Sequence, residues 1–261
     1  MITRDIVETL ERKLGYMLEN NTQEQIKLLE ENFLFKFWPY IPPGIIKKEA
    51  TSKDVSQKLS CLVAERNQPF ISLDRIYFPL AERYLEATRI TNKITGEVTI
   101  GERCGALPLE EQLDLLKPYK SIILGDVGSF EGTTLLKVCS LLEQKGLKIE
   151  ELVLGFVGKV AQEKLSPKYK LSSLYTFEFY EWIELRDFFG IDGRRQFGTN
   201  NLMPYWNNLS SWASISLKDD KNVTSLCKEY NSKLLEVLEK GGYDIQRIDT
   251  RIKYMESEQN E

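Results

Sequence analysis

The sequence predicts an α/β protein with a mainly parallel sheet, preceded by N-terminal helices and followed by a C-terminal helical extension. Three apolar runs suited to buried strands follow one another with tight connections, over residues 121–125, 149–159 and 171–183. An amphipathic segment over 132–145 separates the first two runs, which is typical of a strand-helix-strand unit with parallel strands. Apolar residues at three- and four-residue spacing mark helices near both chain ends.

The patterns before the sheet alternate between helical and extended segments. Thr95-Gly96 is flanked on both sides by alternating β-branched and polar residues, which predicts a β-hairpin. Pro42-Pro43 and Gly44 cannot continue a helix and end the first helical region. The predicted elements are helices over 3–36 (divided at Asn20-Asn21-Thr22), 52–67 and 108–119, a strand over 69–73 and a hairpin over 90–103.

The segments after the first strand complete the predicted core. Gly146 lies at a helix C-terminal cap position, so the helix over 132–145 ends there. Beyond Gly190 the chain is rich in loops, and a further helix is expected over 222–240. Three segments result: an N-terminal helical extension (1–50), an α/β core (51–195) and a loop-rich and helical C-terminal extension (196–261).

Composition excludes several kinds of chemistry. The 261 residues carry a net charge of −4, so no bulk basic field exists to hold nucleic acid. The chain contains no histidine, which removes Ser-His-Asp and Cys-His catalysis and histidine zinc sites together. The N-terminus lacks the apolar core of a signal peptide, and no stretch is long enough to span a membrane. The four widely spaced cysteines indicate free thiols and a cytoplasmic location.

The segment SIILGDVGSFEGTTLLKVCSLLEQKGL, residues 121–147, contains the strongest functional pattern. A buried strand runs into Asp126, a turn of small residues follows, and Gly132-Thr133-Thr134 opens a helix. One interpretation is an ordinary strand-helix unit in which Ser129 or Thr133 caps the helix. A Walker A loop and a G-x-G-x-x-G dinucleotide motif are both excluded, because neither spacing occurs in this turn.

The same order of residues resembles the ribose-phosphate signature of the type I phosphoribosyltransferase-like superfamily. Asp126 matches the first acid of that signature, Gly132 its glycine, and Thr134-Leu135 its closing Thr-Leu pair. The chain departs from the signature at two positions: Val127 replaces the second acid, and Glu131 replaces the threonine before the glycine. The resemblance covers roughly residues 55–195 and implies a divergent member of the superfamily.

The resemblance implies a set of candidate site residues. It implies that the backbone around Gly132 cradles a 5′-phosphate while Asp126 binds ribose hydroxyls. For Glu131, where the chain departs from the signature, three alternatives stay open: the side chain points away from the phosphate, holds Mg²⁺ or acts as a base. The hairpin is expected to be the most mobile part of the core and to close over the site as a lid. The candidate catalytic residues are Asp126 and Glu131, and the candidate ligand-binding residues are Ser129, Phe130, Gly132, Thr133, Thr134, Asp74, Arg75, Arg89, Lys93, Arg103, Trp182 and Asp187. The alternative interpretation of the arginines is solvated surface charge, and of Trp182 core packing.

Three functions remain open from the sequence. The resemblance favours an enzyme that transfers a ribosyl phosphate group from phosphoribosyl diphosphate or a nucleotide, with Mg²⁺ on the diphosphate. The loss of the second acid at Val127 favours a catalytically degenerate module that senses a nucleotide or serves an assembly. The third is a nucleotide-targeting effector of a defence or toxin system. A homo-oligomer or a protein partner is expected, whereas Arg194-Arg195 beside Phe197 and Tyr205 are interpreted as an interface or ordered loop rather than a nucleic-acid site.

Overall fold

The computed structural model describes residues 1–43, 45, 47–92, 95–178, 182–197, 202–206, 209, 212–213 and 215–245. The chain forms two compact units. The first unit combines both chain ends, Met1–Thr51 and Glu181–Glu261, and the second is the continuous segment Ser52–Tyr180.

The elements are numbered in chain order. The helices are α1 (Ile6–Leu14), α2 (Asn20–Phe37), α3 (Ser52–Val63), α4 (Leu109–Asp114), α5 (Thr133–Gln144), α6 (Lys159–Leu165), α7 (Leu185–Phe188) and α8 (Asp220–Lys240). The strands are β1 (Ile2–Arg4), β2 (Glu49–Thr51), β3 (Phe70–Ser72), β4 (Arg83–Tyr84), β5 (Ala87–Thr91), β6 (Val98–Glu102), β7 (Ser121–Ser129), β8 (Lys148–Gly158), β9 (Lys170–Phe177), β10 (Ile183–Glu184), β11 (Gly193–Gln196) and β12 (Leu202–Pro204).

The second unit is built on a five-stranded sheet in the order β4-β3-β7-β8-β9. Every neighbouring pair in this sheet is parallel. The predicted α/β class and the mainly parallel sheet are therefore confirmed. Strands β7, β8 and β9, which correspond to the predicted runs 121–125 and 149–159 and to the first part of 171–183, are neighbours, and α5 connects the first two. The third prediction extended too far, because Ile183 belongs to β10 in a different sheet.

The burial of β7 and β8 explains why both strands could be predicted from apolar runs in the sequence. Leu152, Val153 and Leu154 are all inaccessible to solvent, so β8 is covered on both faces and reads as an unbroken apolar run. Helix α5 packs Leu135 and Leu142 into the same core. The two strands β5 and β6 pair antiparallel, which confirms the predicted hairpin.

The first unit contains a small parallel sheet in the order β10-β1-β2. Residues 3 and 4 were predicted to be helical but belong to strand β1, because Thr3 pairs with Glu184 on one side and Ala50 on the other. Trp182 Nε1 donates to Thr3 Oγ1 at 2.7 Å beside this pairing. Residues 182–195, assigned to the α/β core from sequence, accordingly lie in the unit of the chain ends.

Aromatic packing joins the segments of the first unit. The ring of Phe33 on α2 lies 5.6 Å from Phe188, 5.2 Å from Phe189 and 5.4 Å from Tyr230 on α8, measured between centroids. All four side chains are buried. The helix predicted over 222–240 is confirmed as α8, and this cluster is what fixes it to α2.

Buried charges accompany these rings. Arg186 Nε lies 3.2 Å from Asp5 Oδ2, and burial raises the pKa of Asp5 well above its ordinary value. Arg4 Nε donates to Glu30 Oε2 at 3.0 Å. Burial raises the pKa of Glu30 to about 7, although Arg4 opposes the shift. The first unit therefore carries carboxyl groups that are easier to bury in the protonated state.

Two further observations concern expectations from the sequence. Cys61, Cys104, Cys139 and Cys227 are all free thiols. Among the described residues, no helix has both the length and the apolar character needed to cross a bilayer.

Candidate functional site

The carboxyl edge of the five-stranded sheet is the place where this topology collects functional groups. From β3 the chain turns to β4 on one side, whereas β7 lies on the other side of β3 and leads through α5 to β8. The connections after β3 and β7 therefore run in opposite directions, which opens a crevice between them. In open parallel sheets, ligands bind in such a crevice at the carboxyl ends of the strands.

The β7–α5 connection is shorter than the sequence suggested. Strand β7 continues past Asp126 through Ser129, which pairs with Val157, so only residues 130–132 form the turn. Gly132 adopts a left-handed conformation with φ of 78°, and the helix begins at Thr133. Glycine reaches this region at no steric cost, which explains its presence at the turn.

The first turn of α5 presents backbone donors at the edge of the sheet. The N-cap residue of this helix is Gly132, which has no side chain to cap it. The first four N–H groups of an α-helix have no partner within it, and the Leu136 amide is the first to bond back, to the Gly132 carbonyl at 2.9 Å. Thr133 is exposed and Thr134 is half-buried, so the hydroxyls of both lie at the same helix end as these amides.

Close packing gives Gly132 a second reason to be glycine. A Cβ at this position would lie 3.3 Å from Ala161 Cα and 3.5 Å from Leu165 Cγ, both on α6. Gly158 at the end of β8 is equally constrained, because a Cβ there would lie 2.6 Å from the Phe130 carbonyl oxygen. The sequence analysis did not single out Gly158 or Ala161. The only signal was a glycine at the end of an apolar run.

Asp126 and Val127 have opposite orientations because β7 is still extended where they lie. Asp126 is half-buried, and its Oδ1 accepts a hydrogen bond from the Val127 amide at 2.8 Å. Val127 is 6% exposed, and its side chain points to the other face of the sheet. The apolar residue in place of the second acid is thus part of the core. Glu131, in the turn, is exposed.

The connection after β3 is organised by Asp74. Its carboxylate is buried and accepts hydrogen bonds from the backbone amides of Ile76 at 2.7 Å and Tyr77 at 3.0 Å. The Asp74 amide in turn donates to Ser72 Oγ at 3.0 Å. Asp74 therefore stabilises the conformation of this connection, because its carboxylate binds backbone amides within it.

Two of the basic residues predicted to bind diphosphate, Arg75 and Arg103, bind neighbouring groups of the protein. Arg75 pairs with Glu86 at 3.1 Å and lies 4.6 Å from the centre of the Tyr84 ring. Arg103 donates from Nε to the Ala87 carbonyl at 3.2 Å and from a terminal nitrogen to the Leu73 carbonyl at 3.3 Å. Arg103 thereby ties the base of the hairpin to the connection after β3.

The remaining predicted residues occupy several places. Arg89 lies half-exposed on β5, and Lys93 falls outside the described residues. Trp182 is buried and Asp187 lies on α7, both in the unit of the chain ends. The structure thus brings Asp126, Ser129, Phe130, Glu131, Gly132, Thr133 and Thr134 together in one segment, with Asp74 and Arg75 after the adjacent strand.

The described residues offer limited support for a metal site held by protein alone. None of them form a group of three or more acidic or cysteine side chains able to hold an ion. Magnesium in phosphate-handling proteins is held through one or two carboxylates together with phosphate oxygens and waters.

Similarity between this chain and known proteins is found among solved structures. No protein-family model matches the chain, and no curated protein sequence matches it either. The chain is similar to the adenine phosphoribosyltransferase of Thermoanaerobacter pseudethanolicus, with 13% identity and a TM-score of 0.35 over 48% of this chain and 80% of that one. It is similar to a protein of Thermus thermophilus, with 13% identity and a TM-score of 0.33 over 48% and 83% of the two chains. It is also similar to the UMP synthase of Leishmania donovani, with 10% identity and a TM-score of 0.30 over 68% of this chain and 33% of that one.

Proposed function

We propose that the chain binds a ligand containing ribose 5-phosphate, such as phosphoribosyl diphosphate or a nucleotide, at the carboxyl end of β7. The observation that carries the proposal is the glycine-initiated N-terminus of α5, whose N-cap residue, Gly132, has no side chain with which to cap the helix. This helix end follows a central parallel strand beside the crevice between β3 and β7. Such a helix end supplies unpaired N–H groups and a partial positive charge, both of which favour a phosphate.

The neighbouring groups suit the rest of the ligand. The amides of Thr133 and Thr134 and their hydroxyls are donors for phosphate oxygens. Asp126 lies half-buried on β7, three residues before the strand ends at Ser129, and its carboxylate is a suitable acceptor for the hydrogen bonds that ribose hydroxyls donate. This arrangement needs no lysine and no histidine, which agrees with the composition of the chain.

Transfer of the ribosyl phosphate group is the fuller form of the proposal. The reaction would be displacement at the anomeric carbon of the sugar, in which the chain contributes positioning by the α5 amides and by Asp126. The buried Val127 favours a second candidate, a module that binds the nucleotide without transferring it, because β7 then offers the single carboxylate of Asp126 in place of an acid pair. Both candidates require the same phosphate site.

A charge placed in the first turn of α5 tests the site. Thr133→Asp adds a carboxylate where the phosphate is proposed to bind, and acidic residues at this position stabilise a helix by about 0.3–1 kcal/mol. Coulomb repulsion between that carboxylate and a doubly charged phosphate about 5 Å away in water is about 1.7 kcal/mol, which corresponds to about 15-fold weaker binding. We expect calorimetry with ribose 5-phosphate and phosphoribosyl diphosphate to show this loss while the melting temperature is kept.

A matched control uses another helix end. Asn21→Asp adds the same charge to the first turn of α2, where Asn21 is exposed, and should leave the affinity for both ligands unchanged. Equal affinity of wild type and a folded Thr133→Asp variant would refute the phosphate site. Release of diphosphate from phosphoribosyl diphosphate in the presence of acceptor bases, measured on wild type, then separates transfer from binding alone.

A further inference from the structure

Strand β9 forms one edge of the five-stranded sheet, and it is an unusual edge. It is eight residues long, whereas the opposite edge is the two-residue strand β4, which includes Arg83. Soluble proteins normally protect sheet edges by keeping them short, by charging them or by placing proline in them. Strand β4 follows this rule, whereas β9, which has one neighbouring strand among the described residues, carries its single charge at its first residue, Lys170.

The sequence of β9 leaves its edge unprotected. Residues 171–177, LSSLYTF, contain no charge and no proline. Leu171, Leu174, Tyr175 and Phe177 are all half-buried, in contrast to the fully buried residues of β8. In a strand paired on one side, alternate backbone N–H and C=O groups point outward, so β9 presents a row of donors and acceptors at this edge.

The side chains of β9 also contact the neighbouring elements β8 and α3. The rings of Tyr175 and Phe177 stack on the buried Phe156 of β8, with centroids 5.5 Å and 6.0 Å away and interplanar angles of 13° in both cases. Lys58 of α3 donates from Nζ to the Tyr175 hydroxyl at 2.9 Å. These contacts keep β9 ordered, so its outward backbone N–H and C=O groups form a regular row along the edge.

The side chains of β9 are complementary to a second copy of themselves. In an antiparallel pair related by a two-fold axis at Leu174, Leu171 lies opposite Phe177, Ser172 opposite Thr176, and Ser173 opposite Tyr175. Lys170 then lies opposite Glu178, and their side chains are 68% and 65% exposed. Each also has an ion pair within its own chain, since Lys170 Nζ lies 2.9 Å from Glu151 Oε2 and Lys159 Nζ lies 3.1 Å from Glu178 Oε1. Apolar, hydroxyl and opposite-charge pairs are the combinations that stabilise neighbouring strands. A register shifted by two residues would instead place Ser172 opposite Leu174.

We propose that the chain forms a homodimer in which β9 pairs antiparallel with β9 of a second copy about a two-fold axis at Leu174. The two five-stranded sheets then become one continuous sheet. A two-fold axis makes each contact occur twice, so a Lys170–Glu178 pair lies at each end of the β9–β9 interface. The proposal is independent of the ligand site at β7, which lies on the far side of β8 in the strand order.

Disulfide cross-linking tests the register directly. Residues on the two-fold axis of an antiparallel pair have Cα atoms about 4.5–5.5 Å apart, within the range that a disulfide bridges. Thr176, two residues further on, would lie about 13 Å from its own copy and cannot be bridged. In the full chain with the exposed Cys61 replaced by serine, mild oxidation should convert Leu174→Cys into a covalent dimer and leave Thr176→Cys monomeric.

Charge exchange provides a second test that leaves the apolar residues intact. In analytical ultracentrifugation, Lys170→Glu and Glu178→Lys should each weaken the dimer by roughly tenfold, because like charges then face each other across the β9–β9 interface. The double exchange should restore the wild-type affinity, and circular dichroism melting confirms that each variant is folded. A wild-type chain that stays monomeric at all concentrations, equal cross-linking at 174 and 176, or a double exchange no tighter than either single change would overturn the proposal.

Discussion

Replacing Gly132 by alanine adds one methyl group to the turn that starts α5, and the structure predicts what that methyl group meets. The new Cβ would lie 3.3 Å from Ala161 Cα, which is backbone and cannot rotate away, and 3.5 Å from Leu165 Cγ. The φ of 78° adds a conformational cost that any residue with a Cβ bears in the left-handed region. Two separate penalties therefore act at one position.

Gly146 allows the conformational penalty to be measured without the contact penalty. Its φ is 87°, close to that of Gly132, and a Cβ there would have no neighbour within 4 Å among the described residues. Gly146→Ala should therefore cost only the conformational term, about 1–2 kcal/mol. Gly132→Ala should cost about 1–3 kcal/mol more, because overpacking against α6 is added to the same conformational term.

Urea denaturation followed by circular dichroism measures both variants against wild type. Because the chain has two units, the transition of the second unit should be followed with a probe inside it, such as the fluorescence of a label at the exposed Cys61. Equal losses of stability in the two variants would refute the conclusion that contact with Ala161 requires glycine at 132. Since the added methyl group points towards α6, the folded Gly132→Ala protein should keep its affinity for ribose 5-phosphate within a few-fold.

The remaining predictions concern titration and the hairpin. Burial alone would raise the pKa of Glu151, but hydrogen bonds from Arg66, Ser172 and Lys170 outweigh it and hold that pKa at about 2. The resulting stability, about 3 kcal/mol, is present above the ordinary value of 4.5 and should be lost as the pH falls from 4.5 to 2, and Glu151→Gln should flatten acid unfolding curves in that range. Glu30 has the opposite sign: its pKa of about 7 means that the first unit loses stability as the pH rises from 4.5 through 7, and Glu30→Gln should remove this loss from thermal melts. Arg103→Ala should increase amide exchange in the β5–β6 hairpin, because Arg103 fastens its base to the Leu73 carbonyl, and an unchanged exchange rate would contradict that role. Greater mobility of residues 90–103 than of the rest of the core, expected of a lid, is checked by the same exchange measurement on wild type.

Long, uniform elements of the fold could be predicted from the sequence. Strand β8 is buried on both faces, and helix α5 follows a 3.6-residue period, so each leaves a continuous pattern over more than ten residues. Strands β1, β2 and β10 are two or three residues long and leave no pattern. Their pairing joins residues 2 and 183, which is a result of tertiary packing rather than of local sequence.

The candidate site was only partly predictable for a related reason. The pattern around Gly132 identified the correct turn, because glycine and hydroxyl residues mark helix starts locally. The same pattern placed the end of β7 at 125, four residues too early, since Val127, Gly128 and Ser129 look like a loop but belong to the strand that pairs with β8. Asp74 and Arg103 bond to backbone amides and carbonyls, and such partners carry no side-chain signature that a sequence can show.

The division of the chain into a continuous segment and a unit made from both ends has a consequence for synthesis. Residues 52–180 have all their core partners once the ribosome has passed them, so this unit can fold while the chain is still growing. The rings that surround Phe33 on α2 come from residues 188, 189 and 230, which emerge after the whole second unit. At translation rates of about 5–20 residues per second, the apolar face of α2 remains uncovered for roughly ten seconds or more. During this interval the amino-terminal helices are the part of the nascent chain most in need of a chaperone.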